Sequence, residues 1–180
     1  MNAAVKLDDI YLKIGAYLKE ITGYDDKNIR RAYQDNIGVP SDCPFVYISI
    51  AKAVRNASNQ HIYDAQAQSV EIAESMILDI QLDFYGQDSW DQTQQVKMLF
   101  RDEFSTDYFK NNYEALTPLY ADDIVQTSDE DENSNWKVRN TMTLHFNLQI
   151  ALTIAQQFFD EISLISSSLS VKKNDADLNI

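Results

Sequence analysis

The residue types from which a catalytic or metal site could be built are few in this chain: two histidines, His61 and His145, a single cysteine, Cys43, and several local groups of carboxylates. A thiol nucleophile needs a base within hydrogen-bond reach, so a pair such as Cys43 with His61 is conceivable. No flanking signature accompanies either residue, and Cys43, between Asp42 and Pro44 at a strand entrance, reads as a small packing residue. His145 falls in mid-strand on a polar face, where it reads as exposed or paired across strands. His61 lies at a hairpin with no chemical context. The stretch SDEDENSN, residues 128–135, sets Asp129, Asp131, Asn133 and Asn135 at alternate positions of a calcium-loop register. Ser134 stands where that loop needs glycine and Asn140 where it needs a bidentate glutamate, so a solvated acidic loop is the better reading. Asp25-Asp26 and Asp122-Asp123 are local acid pairs of the kind metal-dependent hydrolases use, but nothing in their spacing fixes a geometry. No catalytic, cofactor or metal residue is therefore expected.

Composition narrows the field further. Lys plus Arg is 15 against 28 Asp plus Glu, a formal net charge of −13. Nucleic-acid binding rests on neutralising phosphates with Lys and Arg, and anionic membranes attract the same residues. A chain this acidic is suited to neither, and its only adjacent basic pairs are Arg30-Arg31 and Lys172-Lys173. The four glycines, at 15, 23, 38 and 86, form neither of the common phosphate-cradling loops. One cysteine excludes an intrachain disulfide. Asp8 and Asp9 interrupt what would be the apolar core of a signal peptide, so no secretion signal is expected. No apolar run is long enough to span a membrane.

The elements follow from periodicity. Leu7, Ile10, Tyr11, Ile14, Leu18 and Ile21 form one apolar stripe, which predicts a helix over 5–22 stopped by Gly23. Residues 23–44 read as a connection. Val46, Ile48, Ile50 and Val54 share a strand face on which Lys52 is the exception. A second strand, about 65–85, alternates likewise, and the two are expected to form a hairpin. Ser89 and Gln92 fit a capping box opening a helix that runs to about 104, followed by an irregular segment to Thr117. Residues 118–126 suggest a short edge strand, and 160–170 a last one. The clearest signal spans 136–154: every even position is apolar except Asn140, and the odd positions are mainly polar. Nineteen residues at about 3.3 Å each span roughly 60 Å, so this strand must bend, bulge or project past its domain. The class is α+β: a largely antiparallel sheet with unusually long strands and two main helices on one face, in the order helix-strand-strand-helix-strand-strand. One domain over 1–165 and a tail over 166–180 are expected. Strands this long need their edges covered, and pairing with another copy would do so.

Four stretches in order resemble the neck or tail terminator proteins of tailed bacteriophages. They are IRRAYQDNIGVPSDCPFVYISI (29–50), LDIQLDFYGQDSWDQTQQVKMLFRDEFSTDYF (78–109), LTPLYADD (116–123) and VRNTMTLHFNLQIALTIAQQFFDEI (138–162). Asn140 departs from the pattern, standing where an aromatic residue is expected after Arg139. The resemblance implies a non-enzymatic virion protein, assembled in the host bacterial cytoplasm, that forms a homo-oligomeric ring, usually a hexamer. The ring caps the tail tube, meets the tube protein and the neck or head-completion proteins, and leaves a channel through which DNA passes as cargo. No cofactor and no membrane are implied. Under this reading Arg30, Arg31, Asp122, Asp123 and Arg139 are expected at contacts between subunits or with neighbouring proteins. Other head–tail joining or tail-tube roles remain open alternatives, as does a metal-dependent hydrolase built on the scattered carboxylates.

Overall fold

The computed structural model describes residues 5–33, 44–130 and 136–156. The first helix, α1 (Leu7–Thr22), buries Ile10, Ile14, Tyr17, Leu18 and Ile21. Gly23 ends it with φ 70°, a left-handed conformation that glycine adopts without steric cost, and its N–H bonds to the Lys19 carbonyl. Leu7, expected on the buried stripe, is half exposed, and Tyr17 takes its place. The connection after α1 carries a 3₁₀ turn (Asp26–Asn28) and a three-residue strand, β1 (Ile29–Arg31).

β1 pairs in parallel with β2 (Phe45–Arg55), and every other pairing is antiparallel. β2 pairs with β4 (Ser69–Tyr85), which pairs along its whole length with β7 (Trp136–Ala155). The expected hairpin of two strands contains a third between them: β3 (Gln60–Asp64) folds onto β4 in line with the end of β2. The turn between β3 and β4 is held by the Asp64 carboxylate, which accepts from the N–H groups of Gln66 and Ala67. Two further strands, β5 (Leu116–Ala121) and β6 (Val125–Glu130), lie along the other side of β7, where one short edge strand was expected.

Two bulges set which side chains face which way. Ile50 pairs with Ile80 and Lys52 with Asp79, so Ala51 is the extra residue. The bulge moves Lys52 and Val54 onto the polar face and Ala53 onto the core face, which removes the anomaly Lys52 posed to a strict alternation. A second bulge at Leu119, beside Pro118, turns Tyr120 to face His145.

The class is α+β as expected, with three α-helices among the described residues rather than two. α2 (Ser89–Phe100) stops at Arg101, and α3 (Glu103–Asn112) starts afresh with Asp102 as its cap, accepting from the Phe104 N–H at 3.1 Å. The capping box at Ser89 does not form. Asp88 is the residue before the helix, and Ser89 is buried in its first turn, where its Oγ accepts from Asn140 Nδ2 at 2.7 Å. That bond explains how the apolar series of β7 tolerates Asn140. The helices cover one face of one end of the sheet. Tyr17, Phe100, Phe109 and Phe146 are fully buried there, their rings 4.9–6.4 Å apart, over Leu82, Phe84, Met142 and Leu144. The expected strand at 160–170, the tail at 166–180, Cys43 and the centre of the acidic loop lie outside the described residues.

Candidate functional site

Because the helices pack on one face, the other face of the sheet is open among the described residues, and the odd-numbered positions of β4 and β7 supply its polar side chains. At its centre the Asp83 carboxylate is nearly buried. One of its oxygens accepts from Arg139 Nε (3.1 Å) and Nη2 (2.9 Å) and from the Thr141 hydroxyl (2.7 Å), while Gln81 Nε2 reaches both oxygens at 3.0–3.1 Å. Four strands' worth of positioning is not needed: all four residues come from the β4–β7 ladder, where a period of two puts alternate residues side by side.

One step along the same face, His145 lies between two carboxylates. Its Nδ1 is 2.7 Å from Asp79, its register partner on β4, and its Nε2 is 3.2 Å from Asp122. The second contact is a close approach, not a hydrogen bond, since Nε2 has no aligned acceptor. Tyr120 stacks on the imidazole at 4.1 Å. Both ring nitrogens are directed at carboxylates, and the Thr141 hydroxyl is engaged by Asp83. The array therefore ties β4, β7 and the end of β5 together and does not activate a hydroxyl. Among the described residues no group of three or more His, Cys, Asp or Glu is placed to hold a metal ion.

The five charged residues singled out from the sequence do not converge. Arg30 donates from Nε to the Lys27 carbonyl, and its charge lies near Tyr47, whose hydroxyl is pushed up chiefly by burial. Arg31 pairs with Asp8 at 2.9 Å and lies over the Tyr11 ring at 4.2 Å, beside an open groove of about 620 Å³ between α1 and β1. Asp122 belongs to the His145 cluster. Asp123 accepts from Lys97 at 2.6 Å, and that ammonium holds its carboxyl below the usual range. Arg139 belongs to the Asp83 network. His61 sits in β3, its ring 6.2 Å from that of Tyr63. The pairings Asp83–Arg139 and Asp79–His145 were not readable in advance, because alternation gives the face of a residue but not its partner across strands.

The most distinctive feature lies past the helices. The β4–β7 ladder runs without a bulge from Ser69 opposite Ala155 to Tyr85 opposite Arg139. Burial on the core-side face falls off beyond Leu78: Ile72, Met76, Ile150, Leu152 and Ile154 are all partly exposed, with Val70 the buried exception. This arm is a three-stranded sheet of β3, β4 and the end of β7. On the far side of β7, pairing with β5 stops at Leu148, and Gln149 N–H still reaches the Ala115 carbonyl at 2.9 Å. Among the described residues, no strand flanks 150–155 on that side, and β3 pairs with β4 alone.

No described helix is long and apolar enough to cross a membrane. A family model described as phage neck terminator protein matches residues 8–171 of the chain. No curated protein matches it.

Proposed function

Because the chain belongs to the phage neck terminator protein family, a structural family of the virion, we propose that it works as a ring. In this reading the ring closes the end of the tail tube, joins it to the neck and head-completion proteins, and lets DNA through without holding it. The observation that carries this is the arm. A β-ladder reaching about 56 Å, of which the helices cover one end, leaves sheet edges and half-exposed aliphatic side chains that the described residues of one subunit do not bury. A closed ring needs two different complementary surfaces on each subunit, and an extended sheet with opposite edges supplies them.

The charge supports the same reading. Two acids of the open face have partners there: Asp83 pairs with Arg139, and Asp79 bonds to His145 Nδ1. The remaining excess of 28 acids over 15 bases keeps phosphate at a distance, which suits a channel through which DNA slides. Asp122 and Asp123 after β5, and Arg30 and Arg31 on β1, are assigned to contacts with neighbouring subunits or tail proteins. Arg139 supports the face from within the Asp83 network. Charge at such joints selects the partner more than it adds affinity.

Native mass spectrometry and electron microscopy of the purified chain test the proposal. The expected result is one closed species of defined subunit number. A monomer at high concentration, or open tubes of unlimited length, would refute it.

A further inference from the structure

Among the described residues, the arm presents two open edges at one height. Gln60 of β3 and Ala151 of β7 both stand opposite Ala73 of β4, and Asp64 and Ala155 both stand opposite Ser69. We propose that these two edges are the joint between copies of this chain: β7 of one copy, over residues 150–155, pairs with β3 of the next. The inference rests on the ring reading above and specifies which strands close the ring.

Three observations carry it. The first is chemical. Residues 150–155, IALTIA, contain no charge, no glycine and no proline. An uncharged, β-branched edge of this kind templates aggregation unless something pairs with it, and natural edges are ordinarily blunted by charge, proline or a bulge. None of these devices is present here, and the ladder beside it is unbroken. The second is register. Because both edges sit at the same level across β4, a head-to-tail joint continues the sheet with no vertical offset. The third is direction. β3 and β7 are each antiparallel to β4, hence parallel to each other. Rotation about a ring axis preserves strand direction along that axis, so the joint is a parallel pair, and joined arms read β3-β4-β7-β3-β4-β7. A second copy closes both edges at once. A different protein on β7 would leave β3 open in every subunit.

The joint also buries side chains. It sets the partly exposed Leu152 and Ile154 of one copy beside β3 of the next, extending the apolar face that the helices cover at the other end of the ladder.

A zero-length cross-link tests this. Ile62 and Thr153 both lie opposite Glu71 and so share a face of the arm. Within one subunit β4 separates them, at two strand spacings or roughly 10 Å, beyond the about 7 Å that a disulfide can span between Cα atoms. Across the proposed joint they become neighbours. The full chain with Ile62→Cys, Thr153→Cys and Cys43→Ser is oxidised and run without reductant. The expected result is loss of most of the monomer band into a ladder ending at the ring number, whereas each single-cysteine chain stops at dimer. Native mass spectrometry of the reduced double variant separates the β3–β7 joint from ring formation itself. Rings that give no ladder overturn the β3–β7 joint and leave the ring reading standing. Absence of rings in both the variant and the parent chain overturns the ring reading itself. A chain ending at Gln156 asks whether residues 157–180 cover the β7 edge in cis. A ladder that appears only after that truncation counts against the joint in the intact protein.

Discussion

The Asp83–Arg139 pair offers the sharpest energetic test of the open face. Asp83 is 9% exposed and Arg139 26%, and the carboxylate also accepts from Thr141 and Gln81. Asp83→Ala removes the carboxylate to which the Arg139 guanidinium donates from Nε and Nη2. Breaking one side of a buried pair costs about 3–5 kcal/mol, and the partial exposure of Arg139 draws this toward about 2–3 kcal/mol. Arg139→Ala leaves a nearly buried carboxylate holding only neutral donors, for a similar cost. If the two residues act as a unit, the double substitution costs clearly less than the sum, with a coupling of about 1–3 kcal/mol. Replacing both by aliphatic residues, Asp83→Val with Arg139→Leu, should lie close to the parent, because no charge is then left unpaired. Urea unfolding at fixed protein concentration reads these values. With a slope of about 2 kcal/mol/M, each single variant shifts the midpoint down by about 1 M. A coupling below about 0.5 kcal/mol would mean that solvent already satisfies both charges, and that the network does not brace the face as argued.

Two further expectations concern the core. Burial pushes the Tyr17 phenol well above its ordinary value near 10, against the opposing effect of its hydrogen bond to Ser105. The unfolded chain therefore releases that proton near pH 10 while the folded chain retains it. The stability contributed is intact below pH 10 and is lost as pH rises toward the folded value, and Tyr17→Phe should lessen the alkaline slope by up to about 1.4 kcal/mol per pH unit. An unchanged slope in pH-dependent urea titrations would remove Tyr17 from the account and leave Tyr47, Tyr108 and Tyr113, which burial also raises. Ser89→Ala strips the buried Asn140 amide of its acceptor and should lower stability by about 1–3 kcal/mol. Adding Asn140→Leu should restore part of that loss, measured by the same denaturation.

The amino-acid sequence determined the local choices. The apolar stripe and Gly23 define α1, the alternation over 136–154 defines β7 and its length, and the polar odd positions announce an open face. These are legible because a period of 3.6 or 2 is a property of neighbouring residues. Its acid excess and lack of phosphate loops likewise follow from composition alone. Tertiary structure decided what depends on partners distant in the chain. The bulges at Ala51 and Leu119 turn Lys52 and Tyr120, the register brings Asp83 to Arg139 and Asp79 to His145, and Asn140 is tolerated because Ser89 lies against it. Even the break between α2 and α3 is sealed from afar, where Arg101 donates to the Ala121 carbonyl and the Tyr17 hydroxyl bonds to that of Ser105. Alternation says which face a side chain takes. Only the pairing of whole strands says what it meets there, and where the helices end and the arm begins.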